Sequence, residues 1–229
     1  MTFSICVYDE ESGEVGVGAL TAMMGVGKLI AHSKEQVGAA ASQATMNPYL
    51  ALDGLELIAT GRFAEQALNE LIAQDEGRDY RQVGIVDTRG GTAAWTGSRT
   101  PGWAGHMVSG TAVAQGNRLV GQETLEATLA AYWEHEDLDL GHRLLHALEA
   151  GEATGADKQG TVSGTINVMG SEAYPLWDVR VDHAEDPAAE LRRLVEEFEQ
   201  ELRPMISQMS TREDYVGEMT RKEMADDEQ

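Results

Sequence analysis

Large apolar residues alternate with smaller or more polar ones at the start of the chain. Over residues 2–8, the side chains from Phe3 to Val7 are large and apolar at every second position. This two-residue period is typical of a β-strand whose two faces meet different environments. The polar run 9–14 predicts a turn, and the apolar run 15–20 predicts the returning strand of a hairpin.

Patterns of the same kind divide the rest of the chain into strands, helices and loops. Alternating or small apolar residues predict strands, whereas apolar residues three or four positions apart, ended by glycine, predict helices. The predicted strands are residues 36–44, 81–87, 92–97, 111–117, 161–169 and 174–182, the predicted helices are residues 49–60, 64–77, 121–135, 138–150 and 186–202, and the predicted loops are residues 98–110 and 151–160.

The order of these elements indicates an α+β protein. Hairpins imply antiparallel sheets, and pairs of helices between them imply helices packed on those sheets. Asp186 and Pro187 have the residue types expected at the N-cap and first position of the last helix. We predict one domain over residues 1–205, followed by a flexible acidic tail over residues 206–229.

The charge of the chain limits its partners. Its 229 residues include 17 basic and 39 acidic ones, which gives a formal net charge of −22. Such a surface repels nucleic acids and anionic membranes, so we expect neither as a partner. The spread of acidic residues and the scarcity of lysine favour adaptation to a salty cytoplasm, as in a halophile, over an acidic face that binds a partner.

Cysteine and hydropathy indicate a cytoplasmic protein. The longest apolar runs have about six residues, whereas a transmembrane helix needs about 20. The acidic N-terminal residues do not resemble a signal peptide. The single cysteine, Cys6, cannot form an internal disulfide, and its place in a strand predicts a buried side chain.

Two sequence features partly match cofactor sites, namely a phosphate-binding loop and a metal site. Residues 25–28 lack the first glycine and the Ser or Thr that a phosphate-binding loop requires, so we expect no nucleotide cofactor. His135, His142 and His146 could form the metal site of a hydrolase, because His142 and His146 lie one helical turn apart. We favour histidines on the surface of a helix and expect no metal.

Thr2 offers a candidate nucleophile. Threonine is small enough to allow removal of the preceding methionine, which would leave Thr2 with a free α-amino group. Such an amine titrates at about 7.7–8.0, so it can accept a proton near neutral pH. It could then activate the hydroxyl of the same residue.

Six segments carry a resemblance to a known family. They are residues 2–18, 37–49, 77–87, 93–106, 112–121 and 174–194, in this order along the chain. Together they resemble the DUF1028 family, which is grouped with the N-terminal nucleophile hydrolases. The resemblance implies a four-layer αββα sandwich, with two antiparallel sheets between layers of helices. It also implies cleavage of a C–N amide bond through an acyl-enzyme on the N-terminal residue.

The resemblance and the needs of acyl transfer suggest roles for further residues. The stretch that begins at Asp157 is similar to the one that orients the N-terminal threonine in proteasome-type subunits, which implies that Asp157 orients Thr2. Acyl transfer needs hydrogen-bond donors for the developing oxyanion, and Asn117 is our candidate. The candidates for substrate binding are Gln43, Thr96, His106 and Gln115.

We therefore expect an amide hydrolase that acts on a small molecule through Thr2, without a cofactor. The main alternative is a binding or scaffold protein that has the same fold but no catalytic activity. A homo-oligomer is possible.

Overall fold

The computed structural model describes residues 1–156 and 160–227. Strands form two sheets, and every strand pair in them is antiparallel. The strands in these described residues are β1 (Thr2–Tyr8), β2 (Val15–Thr21), β3 (Ala31–Lys34), β4 (Gly38–Ala44), β5 (Arg81–Asp87), β6 (Thr92–Thr96), β7 (Trp103–Ser109), β8 (Ala112–Leu119), β9 (Ser163–Met169) and β10 (Pro175–Val181).

One sheet has six strands in the order β10-β9-β2-β1-β8-β7, and the other has four in the order β3-β4-β5-β6. The predicted α+β class and antiparallel sheets are confirmed. The part of the chain that the structure describes has the α-helices α1 (Tyr49–Ala59), α2 (Ala64–Gln74), α3 (Glu123–Glu134), α4 (Leu140–Ala153), α5 (Pro187–Glu201), α6 (Arg203–Ile206) and α7 (Gly217–Asp227).

Buried apolar residues form three clusters that differ in the elements they join. The first joins the six-stranded sheet to α3, α4 and α5. The second joins residues of both sheets, and within it β1 lies against β4. The third joins the four-stranded sheet to α1 and α2. Successive residues of β1 contribute to different clusters, because Phe3 and Ile5 face helices whereas Cys6 faces the other sheet.

Two strands were not predicted. Residues 98–110 were expected to form a loop, but β7 occupies most of this segment at the edge of the six-stranded sheet. Pro101 and Gly102 precede the strand, and its residues are only partly buried, so its sequence looks like that of a loop. The four residues of β3 are too few and too polar to give a clear strand pattern.

The last predicted helix is confirmed together with its start. The Asp186 carboxylate accepts a hydrogen bond from the Ala189 backbone N–H at 3.0 Å, and Pro187 is the first residue of α5. Beyond it, α6 ends at Ile206, where the predicted flexible tail begins, and α7 lies within that tail, whose flexibility stays a prediction. No helix in the described residues combines the length and apolarity needed to cross a membrane.

Candidate active site

Strand pairing places four polar residues in one row across the six-stranded sheet. Thr2 on β1 is paired with Asn117 on β8 and with Thr21 on β2, and Thr21 is paired in turn with Ser163 on β9. All four side chains are buried. The row therefore brings three hydroxyl groups and one amide side by side at the end of β1 where the chain starts.

The hydroxyl of Thr2 forms a hydrogen bond to the hydroxyl of Thr21, with 2.8 Å between the oxygens. Thr21 Oγ1 also donates to the Met1 carbonyl oxygen at 2.6 Å. Because a threonine hydroxyl has only one proton, Thr21 accepts in its bond with Thr2. The Thr2 hydroxyl thus donates to Thr21, and Thr21 fixes the direction of the Thr2 O–H bond.

A small cavity opens next to Thr2. Its volume is about 20 Å³, which is enough for roughly one water molecule. Thr2, Thr21 and Gln43 supply polar atoms to its wall. The rest of the wall consists of apolar side chains from the segment between β2 and β3, with Ala44 and Met46. Ala44 has a φ of 70°, a backbone conformation that residues other than glycine rarely adopt.

A network of buried amide side chains joins the two sheets beneath this cavity. Gln43 Nε2 donates to Gln82 Oε1 at 2.8 Å and lies 3.3 Å from the Thr2 carbonyl oxygen. Asn117 Nδ2 also donates to Gln82 Oε1, at 3.0 Å. Ser4 links Gln43 to Gln115, because its hydroxyl donates to Gln43 Oε1 at 2.8 Å and accepts from Gln115 Nε2 at 3.4 Å.

The network continues to the edge of the sheet. Gln82 Nε2 lies 3.0 Å from Thr96 Oγ1, and Thr96 Oγ1 lies 2.9 Å from His106 Nδ1. The ring of His106 is partly covered, and this burial lowers its pKa by disfavouring the charged form. A neutral His106 can therefore accept a hydrogen bond from the Thr96 hydroxyl near neutral pH.

The structure brings together all the predicted site residues that it describes. One set of hydrogen bonds, which runs through Ser4 and Gln82, joins residues from five strands: Thr2, Gln43, Thr96, His106, Gln115 and Asn117. Asp157 lies outside the described residues, so its role stays a prediction. Gln43 and Gln115 are almost completely buried, and their amides bond to other parts of the protein.

Sequence analysis missed four members of this site, namely Ser4, Thr21, Gln82 and Ser163. Ser4 and Ser163 lie on predicted strands and Thr21 directly follows one, so a polar residue on a strand face that is otherwise buried was the available signal. Gln82 has the same signal at the start of β5, where it is completely buried. Which of them meet depends on how the two sheets face each other, and one strand's pattern does not contain that information.

Cys6 is buried as predicted, and burial raises the pKa of its thiol strongly. Of the histidines expected on a helix surface, His142 and His146 lie in the N-terminal half of α4, and His135 directly follows α3. His135 and His146 stack with ring centroids 4.1 Å apart, whereas His142 bonds to the Asp139 carboxylate at 2.9 Å. The side chains of Asp139, His142 and Glu199 are close enough together to hold a metal ion. This group shares only His142 with the three histidines considered from the sequence.

Comparisons with known proteins find one family and a similar fold. The family DUF1028, described as a family of unknown function, matches residues 2–191. The crystal structure of protein SPO2555 from Silicibacter pomeroyi, which has the same family model, is similar with a TM-score of 0.86. The two sequences are 30% identical, and the match covers 94% of this chain and 98% of that one. None of the curated proteins matches the chain.

Proposed function

This chain belongs to the DUF1028 family, and we propose that it is an amide hydrolase whose nucleophile is the hydroxyl of Thr2, exposed as the N-terminal residue by removal of Met1. The placement of Thr2 carries the proposal. Thr2 begins an inner strand of a sheet, its hydroxyl has a fixed hydrogen-bond partner, and it lines a cavity. These are the features that a nucleophile with its own amine as base requires.

The three apolar clusters support the fold expected for such an enzyme. One cluster lies between the sheets, and each of the others lies between one sheet and its helices. We infer from this order a four-layer αββα sandwich of the kind found in N-terminal nucleophile hydrolases.

The reaction would proceed in two halves at Thr2. Thr2 Oγ1 attacks the amide carbonyl carbon, and its proton passes to the Thr2 α-amino group. The tetrahedral intermediate then expels the amine, which takes this proton, and an ester on Thr2 remains. Water, deprotonated by the Thr2 α-amino group, then attacks the ester. The bond between the acyl carbon and Thr2 Oγ1 breaks, Thr2 Oγ1 takes the proton back, and the carboxylic acid is released. The sum is one amide and one water converted to one acid and one amine.

Removal of Met1 would change the hydrogen bonds around Thr21. The Met1 carbonyl accepts from Thr21 Oγ1 at 2.6 Å and from the Ala22 backbone N–H at 3.3 Å. Both donors lose this acceptor when the Met1–Thr2 bond is cleaved, and a new amine appears beside them. Thr21 is then placed to hydrogen-bond both the hydroxyl and the amine of Thr2. We therefore assign Thr21 as a positioning residue for the nucleophile.

A binding or scaffold function is the second candidate, and one observation favours it. The amides of Gln43 and Gln115 hydrogen-bond to neighbouring protein atoms, as expected for residues that only hold two sheets together. Under this alternative, Thr2 would be an ordinary strand residue and its replacement would have no chemical effect.

Substitution of Thr2 tests the two candidates. On a panel of p-nitroanilides, we expect Thr2→Ala to lower kcat by about 10³-fold or more, while Thr2→Ser keeps measurable turnover. Thr220→Ala is the matched control, because Thr220 is an exposed threonine on α7. Turnover in Thr2→Ala at the rate of the control would contradict the proposed function.

A further inference from the structure

The cavity beside Thr2 divides into a polar end and an apolar end. The polar end is formed by Thr2, Thr21 and Gln43. The Gln43 amide is already bonded within the protein, so the Thr2 hydroxyl is the group that would meet a substrate amide. The apolar end is built by Met23, Met24, Val26, Leu29, Ile30 and Met46. A substrate whose carbonyl carbon lies at Thr2 Oγ1 would therefore direct one of its substituents toward apolar side chains.

The entrance of this cavity is apolar and exposed. Met23, Met24 and Leu29 have 52%, 66% and 42% of their surface exposed, and all three lie in the connection between β2 and β3. All three line the same cavity, so they form a local group of exposed apolar side chains rather than isolated ones. Methionine side chains are unbranched and flexible, so they can part to admit a chain that the cavity of about 20 Å³ does not hold when closed.

The charges around the cavity disfavour a substituent that carries a carboxylate. Among the described residues, no side chain that lines the cavity carries a charge. Lys28, the base in the same connection, is paired with Asp182 at 3.2 Å. A carboxylate that entered the apolar end would lose its hydration without gaining a partner, and the net charge of −22 would repel it on approach.

We propose that the cavity accepts amides whose acyl group is an uncharged, linear hydrocarbon chain, with the carbonyl at Thr2 and the chain along Met23, Met24 and Met46. This inference rests on the proposed function, since Thr2 defines the polar end. Each methylene that becomes fully buried there tightens binding by up to about fourfold.

Binding to the Thr2→Ala protein tests the inference apart from catalysis. The methionine methyl groups are labelled with carbon-13, and octanamide or succinamate is added. We expect octanamide to shift the methyl signals of Met23, Met24 and Met46 and to leave that of Met224 unchanged, because Met224 is on α7. Succinamate, which has an amide but also a carboxylate, should shift none of the three. Equal shifts with both compounds, no shifts, or shifts confined to other methionines would overturn the inference.

A variant at the entrance gives an independent readout. Met24→Glu places a carboxylate in the path of the chain, so we expect it to weaken octanamide binding at least tenfold. Met224→Glu makes the same change at a methionine that is 57% exposed on α7, and it should have no effect. Equal octanamide affinities of the two variants would also overturn the inference.

The outcomes separate this inference from the proposed function. Octanamide binding in the cavity without any acylation of Thr2 in the wild-type protein would support the inference and contradict the proposed function. Acylation of Thr2 at equal rates by β-lactones with methyl and hexyl side chains would contradict the inference and leave the nucleophile in place.

Discussion

Gln82 connects more of the site than any other side chain described above. Its Oε1 accepts from Gln43 and Asn117, and its Nε2 lies within 3.0 Å of Thr96 Oγ1 and of the backbone oxygens of Gly105 and Gly116. The side chain is completely buried, so water cannot replace these partners. Gln82 therefore fixes the position of β5 relative to β7 and β8.

Replacement of Gln82 should destabilise the protein strongly. We expect Gln82→Ala to lower the free energy of unfolding by about 3 kcal/mol, because it leaves several buried donors and acceptors unpaired. Gln122→Ala is the control, since Gln122 is exposed and bonds only to Glu126 among the described side chains. Urea denaturation measures both, and equal midpoints would contradict the role given to Gln82.

At the residue scale, the sequence indicates which polar residues belong to the site better than it indicates which residues they hydrogen-bond. Thr2 was proposed because it follows Met1, and Gln43 and Asn117 because each lies at the end of a predicted strand. All three are at the site. Gln82 was not proposed, because its partners come from other strands at least 14 positions away along the chain. The contact between sheets that gives Gln82 its role is a property of the packed molecule.

At the scale of elements, β1 is preceded by Met1, whose removal the proposed function requires. Met1 is 8% exposed and belongs to the cluster under α3 and α4. Its removal would take a buried side chain out of this cluster, and it would have to precede the pairing of β1 for a peptidase to reach the bond.

We expect the protein without Met1 to be less stable than the protein that keeps it, by about 2 kcal/mol, since a buried methionine is lost. Expression with and without inhibition of methionine aminopeptidase gives the two forms, and urea denaturation compares them. Equal stabilities would show that the Met1 side chain does not contribute to the core in the way described here.

The start of α4 carries a pH-dependent pair. A hydrogen bond from His142 to Asp139 raises the pKa of the His142 imidazole. Burial opposes ionisation of Asp139, but the hydrogen bonds from His142 outweigh it and lower the pKa of that carboxyl group. Glu199 and Arg203 also face His142, and their effects have opposite signs.

The raised pKa of His142 predicts how the stability of the folded protein changes with pH. A group whose pKa is raised in the folded state stabilises it fully below the unfolded pKa, about 6.5 for histidine, and this contribution is lost as the pH rises through the folded value. The stability difference between wild type and His142→Gln should therefore shrink from pH 6 to pH 9. His146→Gln is the control, because burial and the neighbouring His135 lower the pKa of His146. A difference that grows with pH would contradict this assignment.

The elements that sequence patterns predicted and those that they missed differ in burial. Inner strands such as β1, β4 and β5 are buried almost throughout, so their apolar content identified them. Both β3 and β7 lie at edges of their sheets and are only partly buried. Partial burial leaves few positions that must be apolar, so the sequences of β3 and β7 carry little of the pattern. The edge strand β10, in contrast, alternates between buried and exposed positions and was predicted.

At the scale of the whole molecule, the net charge of −22 sets the conditions under which the fold is stable. Like charges repel more strongly in the folded chain, where they are closer together, than in the unfolded one. Salt screens this repulsion over about 10 Å at 0.1 M and about 3 Å at 1 M.

We expect the melting temperature to rise between 0.01 M and 2 M KCl by about 6 °C, equivalent to about 2 kcal/mol for a chain of this size. Calorimetry in KCl measures it. A melting temperature that does not change with salt would refute adaptation of the surface to salt and favour an acidic face for a partner.

The most direct test of the central claim is the intact mass of the protein before and after treatment with a β-lactone in high salt. The account predicts a protein that lacks Met1 and gains one adduct, located on Thr2 by peptide mapping. A protein that retains Met1, or an adduct on any residue other than Thr2, would contradict it.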